Sequence, residues 1–397
     1  MKLLKESSIA DYLSTMSAMS GQTTKEYAIR LNSFRKFILS HYDGRNTVDN
    51  LLIKIKEGSE NPYSILSNYV AYLLNSNNIS NLTLKQRIVT AKNFLEYHDV
   101  DISPRKFKLK VKLPRVVKTT KAALSKEDIV DILNSCSDIR LKTYVMLLAS
   151  TGMRAVEALS IRIKDLDLQS NPPKLFVRGE FTKTKSDRTI FLTSEMSRQI
   201  SSWIDYKYRK RRICYSKINK TITQYRTPDK KGTDLVFAVY QSISGPNPKN
   251  LYIDLVDSFG KTLDRMGKGV REDGNEKRRE ITLHSFRRFV KTTISDLGYQ
   301  DFSEYFIGHS GSTYWTKKES EKGEIFQKIE PYLTFLNVHQ LERQGADIRS
   351  RVDELEELNE SLRERDKTKD DAIAQLSDQL MTLTVRLQEI ERRQNGY

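Results

Sequence analysis

The stretch STGMRAVEALSIRIKDLDL, Ser150 to Leu168, decides how the chain is read. An apolar run, Tyr144 to Ala149, reads as the end of a helix, and the small residues Ser150 to Gly152 form a turn after it. A new helix then starts at Arg154, so that Ala158 and Leu159 pack inward while Arg154 and Glu157, three positions apart, share a face. That placement leaves the Arg154 guanidinium, a planar fork of donors, able to meet an anion.

Two further segments carry the same kind of chemistry. In LHSFRRF, His284 and Arg287 are three apart and face one side of a helix, with Phe286 and Phe289 turned differently. In YFIGHS an apolar helix ends at Gly308, and His309 stands just beyond. Between these boxes and Arg154, Leu175–Arg178 and Arg188–Leu192 are short β-branched and aromatic runs separated by a loop containing KTKSD, which predicts a hairpin. Two arginines, two histidines and a lysine converging on one phosphate form a coherent site. Bidentate guanidiniums neutralise charge that grows on non-bridging oxygens, and fixed donors do this without a metal ion.

Composition frames these boxes. The 397 residues are 38% hydrophobic and 30% charged, with a formal net charge of +16. That length suits two or three domains, because single cores stop growing well below it. Leu341–Tyr397 holds ten Lys/Arg against fourteen Asp/Glu, a net of −4, which leaves +20 on the first 340 residues, as a phosphate-binding surface requires. No apolar run approaches the roughly 20 residues that span a bilayer, so no membrane partner is expected. The start, MKLLKESSIADYL, lacks an apolar core of signal-peptide length, and secretion is not expected. Cys136 and Cys214 are the two cysteines, with no CxxC or Cys/His cluster, which suits a reducing compartment and requires no metal or other cofactor.

The domain reading follows from periodicity. Residues 1–103 read as a helical unit, with Tyr27, Leu31, Phe34, Phe37 and Ile38, then Ile65, Tyr69, Tyr72 and Leu73, then Leu84, Ile88, Ala91, Phe94 and Leu95 at helical spacing. Residues 104–121, PRKFKLKVKLPRVVKTTK, are dense in Lys/Arg and carry two prolines, and read as an extended basic linker. A second domain, 122–338, opens with a helix capped by Ser125 with Asp128 as the acid at its third position, and reads as mostly helical beyond the hairpin, with a polar loop around GKGVREDGNEKRRE. In the tail, 339–397, Ile348, Val352, Leu355, Asn359, Leu362, Asp366, Lys369, Ile373, Leu376, Leu380, Leu383, Leu387 and Ile390 step by fours and threes, which predicts a coiled coil. A single amphipathic helix folded back onto the body is the alternative. The fold class expected is mainly α with a small β-sheet.

Taken together, TGMRAVEAL, HSFRR and IGHS resemble, in order and approximate spacing, the arginine, His-x-x-Arg and Gly-His boxes of the tyrosine recombinases, the family of phage integrases; the surroundings of GSTYW and PYLTFLN resemble, more loosely, family members from archaeal mobile elements. The resemblance runs from about Leu124 to Asn337. It implies a helical core-binding domain ahead of a catalytic domain that cuts and rejoins double-stranded DNA through a 3′-phosphotyrosyl bond, with neither metal nor ATP. A homo-oligomer, tetrameric on DNA and aided by the tail, and a cytoplasmic, nucleoid-associated location are implied with it.

The resemblance also implies roles. Arg154 and Arg287 would grip the scissile phosphate, His284 and His309 would donate hydrogen bonds or move protons, and Glu157 would buttress Arg154. The family's lysine precedes an arginine in a β-hairpin, which selects Lys183 by its distance from Arg188, with Lys185 the rival; it would protonate the departing 5′-hydroxyl. The sequence departs from the common pattern at the nucleophile, because the usual tyrosine position, nine residues past His309, is Lys318. Tyr332 in IEPYLTFLN follows an inserted charged helix and begins an apolar run, whereas Tyr314 in GSTYW leaves only five residues of chain for in-line attack. Tyr332 is preferred and Tyr314 kept. A DNA-relaxing enzyme of the type IB topoisomerase kind and a catalytically inactive DNA-binding regulator are the rival functions.

Overall fold

Helical periodicity in the first hundred residues produces five helices among the described residues of a computed structural model of the protein, and a sixth follows them. The structure describes residues 6–18, 21–42, 47–76, 79–116, 123–217, 220–239, 247–271, 279–336 and 361–365, with positions 369, 373, 376, 377, 380 and 381. Two compact units result, residues 1–120 and 121–397.

The first unit runs α1 (Ser7–Ser17), α2 (Gly21–His41), α3 (Val48–Lys56), α4 (Pro62–Asn75), α5 (Asn81–Tyr97) and α6 (Pro104–Lys110). The apolar stripes read from the sequence are its core: Leu31, Phe34, Phe37, Ile38, Ile65, Tyr69, Leu73, Leu84, Ile88, Ala91, Phe94 and Leu95 are all buried. Phe34 and Phe37 each lie 5.1 Å from the Tyr69 ring, close enough for aromatic contact beyond simple burial. The segment expected to be an extended linker is in part a helix. Ser103 caps α6, and Pro104 takes its first position, where its missing N–H costs nothing and its fixed φ is already helical. Beyond it, Val111 is buried in the same core, so the chain stays attached to this unit well past residue 104.

The second unit begins with α7 (Lys126–Ser135) and α8 (Ile139–Thr151). Ser125 accepts from the Asp128 N–H at 3.1 Å while Asp128 accepts from the Ser125 N–H at 3.0 Å, a reciprocal cap that satisfies two otherwise unpaired donors. Every residue of α8 from Thr143 to Thr151 is buried, and this helix is the axis around which the unit packs. After the short α9 (Ala155–Leu159), β1 (Leu166–Asp167), β2 (Lys174–Val177) and β3 (Arg188–Phe191) form an antiparallel sheet in that order, Leu175 opposite Ile190 and Val177 opposite Arg188. The expected hairpin is therefore present.

A second hairpin, which the sequence reading assigned to mostly helical chain, follows α10 (Ser194–Lys207): β4 (Arg211–Lys217) pairs with β5 (Lys220–Arg226). Ile213 and Tyr215 two positions apart, with the β-branched run Thr221, Ile222 and Thr223 after a polar turn, were the signal for it. The remainder is α11 (Pro248–Arg265), α12 (Leu283–Asp296), α13 (Gln300–Ile307) and α14 (Glu319–Ile329). In the expected polar loop Arg271 and Arg279 pair as an isolated bridge, and residues 272–278 lie outside the described residues. The chain end of the unit is pinned by Glu195, whose carboxylate accepts from the N–H groups of Phe335 (2.8 Å) and Leu336 (2.6 Å).

In the tail, Leu362, Ile373, Leu376 and Leu380 are helical and exposed; most of the predicted seam lies outside the described residues. No helix among the described residues is long and apolar enough to cross a membrane.

Replacement of the Ser125 cap, Ser125→Ala, is expected to destabilise the second unit by about 1 kcal/mol, read as a lower midpoint in urea with unchanged slope.

Candidate phosphate-binding site

Two helix ends meet beneath the candidate site, and both end on glycine for steric reasons. Gly152 closes α8 at φ +62, and a Cβ there would meet Ile307 and Val290 side-chain carbons at 3.0 to 3.1 Å. Gly308 closes α13 at φ +79, where a Cβ would fall 2.5 Å from the Arg188 Cζ. Both positions need the left-handed backbone and the missing side chain. The carbonyls freed at these turns become acceptors for the arginines.

Arg287, on α12 and 4% exposed, donates from Nη1 to the Gly152 carbonyl (2.8 Å) and the Ile307 carbonyl (2.5 Å). Its buried Nη2 finds no acceptor among the described residues. Burial, and then the nearby Arg154 charge, pulls its pKa down to about 10, so it remains a cation at neutral pH. Arg154, more open to solvent, donates from Nη1 to Glu157 Oε1 at 2.7 Å and reaches the Gly308 carbonyl at 3.4 Å.

Glu157 is the hinge of the arrangement. Its Oε2 accepts from Nη2 of Arg188 at 2.9 Å, and both side chains are essentially inaccessible. Burial alone would push this carboxyl up, but the Arg188 and Arg154 guanidiniums outweigh it and hold the group below the usual carboxylate value. Arg188 enters the sequence reading only as a landmark for the lysine. Here it is a buried member of the cluster, with Nε and Nη1 also lacking acceptors among the described residues.

His309 donates from Nδ1 to the Glu304 carboxylate, since a carboxylate can only accept. Glu304 is held below its ordinary value chiefly by its hydrogen bond to Lys291, at 2.6 Å. Trp315 donates to the His309 carbonyl at 2.9 Å, which fixes the backbone at this point. His284 is exposed on the first turn of α12, one turn before Arg287.

The remaining candidates sit apart from these hydrogen bonds. Lys183 is exposed on the loop between β2 and β3, and Lys185, at φ +56, donates to the Glu180 carbonyl at 3.2 Å. Tyr314 packs edge-on to Phe302 at 5.3 Å with the Lys317 ammonium 4.6 Å over its ring. Tyr332 is 50% exposed. It lies on a 3-10 turn, Glu330–Leu333, rather than on a continuation of α14, because Pro331 lacks the N–H that would continue that helix.

With this geometry, the comparisons with known proteins are consistent. The phage integrase family model matches residues 122–238. Tyrosine recombinase XerA of Saccharolobus solfataricus is 30% identical over 126 residues, 32% of this chain and 40% of that protein. Tyrosine recombinase XerC of Chlamydia caviae is 26% identical over 215 residues, 50% of this chain and 66% of that protein. Over the matched residues the chain is similar to the tyrosine recombinases. The fold agrees: a crystal structure of a lambda integrase dimer bound to a core site superposes with a TM-score of 0.52 at 12% identity, covering 79% of this chain and 98% of that one. The sequence matches to the two curated relatives span about two fifths and two thirds of their lengths.

The segments around Arg154 and around Gly308 and His309 are held against one another through main-chain carbonyls, an arrangement neither segment shows alone. Glu157→Gln should leave the buried Arg188 cation without a counter-charge and cost roughly 3–5 kcal/mol. Because the folded carboxyl is depressed, its contribution is present above the unfolded pKa of about 4.3 and is lost as pH falls through the lower folded value. Urea midpoints measured from pH 7 down to pH 3 should therefore fall less steeply in Glu157→Gln than in the parent protein; parallel curves would contradict the bridge.

Proposed function

We propose that this protein is a site-specific recombinase that cuts and rejoins duplex DNA through a tyrosyl-phosphate, without metal or ATP. The observation that carries the reading is the convergence of Arg154 and Arg287 on the carbonyls of Gly308, Gly152 and Ile307, with cationic donors held in place before any substrate arrives. Preorganised donors of this kind stabilise charge that develops on a phosphorus centre at no cost in reorganisation.

In the proposed reaction Arg154 and Arg287 bind the two non-bridging oxygens of a phosphodiester. The Tyr332 oxygen attacks phosphorus as its phenol proton passes to His309, the bond to the 5′-oxygen breaks, and that oxygen takes a proton from Lys183. His284 donates a hydrogen bond to the same phosphoryl group. A 5′-hydroxyl of another strand then attacks the phosphotyrosine and releases the phenol, so no water is consumed and the bond energy is conserved. Tyr332 is favoured over Tyr314 because it is half exposed, whereas Tyr314 is engaged by Phe302 and Lys317. Its partners are duplex DNA and further copies of the chain, and the tail joins protomers through the exposed stripe of Leu362, Ile373, Leu376 and Leu380.

Incubation of the protein in EDTA with nicked duplexes from its own element's attachment site should give a denaturant-resistant protein–DNA adduct. The adduct should vanish in Tyr332→Phe and persist in Tyr314→Phe; an undiminished adduct in the double variant rejects the mechanism. Deletion of the residues after Asn337 should lower the solution mass to that of a smaller assembly, and an unchanged mass rejects the pairing role of the tail.

A further inference from the structure

One neighbour holds His309 twice, and the reaction above gives that neighbour no part. The left-handed turn at Gly308 folds the chain back on the last turn of α13, so that the His309 N–H donates to the Glu304 carbonyl at 2.8 Å. The Glu304 carboxylate accepts from the imidazole Nδ1–H of the same residue. Main chain and side chain of Glu304 thus fix His309 together, while Trp315 donates to the His309 carbonyl at 2.9 Å.

The carboxylate is itself aimed. Its Oε1 accepts from the Lys291 ammonium at 2.6 Å, which leaves Oε2 for His309. Lys291 stands four residues beyond Arg287 on α12, so neighbouring positions of one helix carry a site arginine and the cation that anchors Glu304. Lys291 is also the main reason that Glu304 stays below its ordinary carboxylate value, and an ionised carboxylate can only accept. An exposed ion pair of this kind adds little to stability, and the His309 side chain is 40% exposed, so core packing does not account for the arrangement.

A neutral histidine whose Nδ1–H is committed to a carboxylate carries its lone pair on Nε2. That nitrogen is the one able to take a proton. The adjacent Gly308 carbonyl lies 3.4 Å from Nη1 of Arg154, which sets His309 beside the candidate phosphate site.

We propose that Glu304 is a positioning residue for strand cleavage, holding His309 in the Nδ1–H tautomer so that Nε2 receives the phenol proton. The inference rests on the recombinase reading. As the tyrosine oxygen bonds to phosphorus, the 5′-oxygen leaves with a proton from Lys183 and the phenol proton passes to Nε2. The imidazolium so formed already has a carboxylate on its Nδ1–H, which stabilises the new charge. When a 5′-hydroxyl reverses the step, Nε2 returns its proton to the departing phenolate and Lys183 recovers one from the hydroxyl. No proton is gained or lost over the cycle.

The test uses the full chain with 15N-labelled histidine, and nicked attachment-site duplexes in EDTA. Long-range 15N–1H spectra at about pH 8, above the ordinary histidine range, separate the two imidazole tautomers. The His309 signals are those missing from His309→Gln. The parent should show His309 as the Nδ1–H form. In Glu304→Ala the Nε2–H form should appear, and adduct formation at saturating DNA should slow about a hundredfold while duplex affinity stays within about twofold of the parent. Glu304→Gln keeps the shape and an acceptor oxygen; it should melt with the parent, retain the Nδ1–H form and slow only about tenfold. A parental rate in Glu304→Ala, or a slow Glu304→Ala that keeps the parental tautomer, overturns the proposal and leaves the recombinase reading intact. No adduct from the parent overturns both.

Discussion

The buried carboxylate of Glu157, shared between Arg154 and Arg188, is the interaction on which the rest of the site depends. It joins α9 to β3 and sets the direction of the guanidinium that faces solvent. Removing two charged groups from water costs several kcal/mol for each, and that cost is offset only when geometry and hydrogen bonding are both good. The arrangement satisfies this by using both carboxylate oxygens, one for each arginine. Its consequence is rigidity, because Arg188 cannot swing away without leaving a buried charge unpaired.

The same economy governs the backbone beneath it. α8 and α13 end on glycines in the left-handed conformation, and in each case a side chain would strike a neighbouring element. With the glycines in place, the helix-terminal carbonyls of Gly152, Ile307 and Gly308 are turned to the arginines instead of to water. Carbonyls at helix ends need partners, and guanidiniums need acceptors. Each requirement answers the other, and donors still remain: Nη2 of Arg287 and two nitrogens of Arg188 have no acceptor among the described residues. A site that keeps buried cationic donors unfilled is suited to an anion.

Charge is distributed in two places with different physics. At the site, few cations act at short range in a partly desolvated setting, where each interaction is strong and specific. Across residues 209–231 nine Lys/Arg stand against one acid, and the attraction of such a charge run for an anion is long-ranged and screened by salt. The net charge of +16 reports the second kind far more than the first.

Local patterns determined much of this from the sequence alone. The apolar stripes of α2, α4 and α5, the Ser125–Asp128 cap, the start of a helix at Arg154 and the β2–β3 hairpin all depend on residues a few positions apart, and each was legible for that reason. The α6 helix was obscured by its charge density, and the β4–β5 hairpin by the basic residues that flank its β-branched run. What only the tertiary structure decided is which side chains meet: Arg188 with Glu157 across 31 residues, Arg154 with Gly308 across 154, Arg287 with Gly152 across 135. The burial that makes Arg188 a member of the cluster belongs to no segment by itself, since it is created when α9, β3 and the end of α13 close over one another and exclude water.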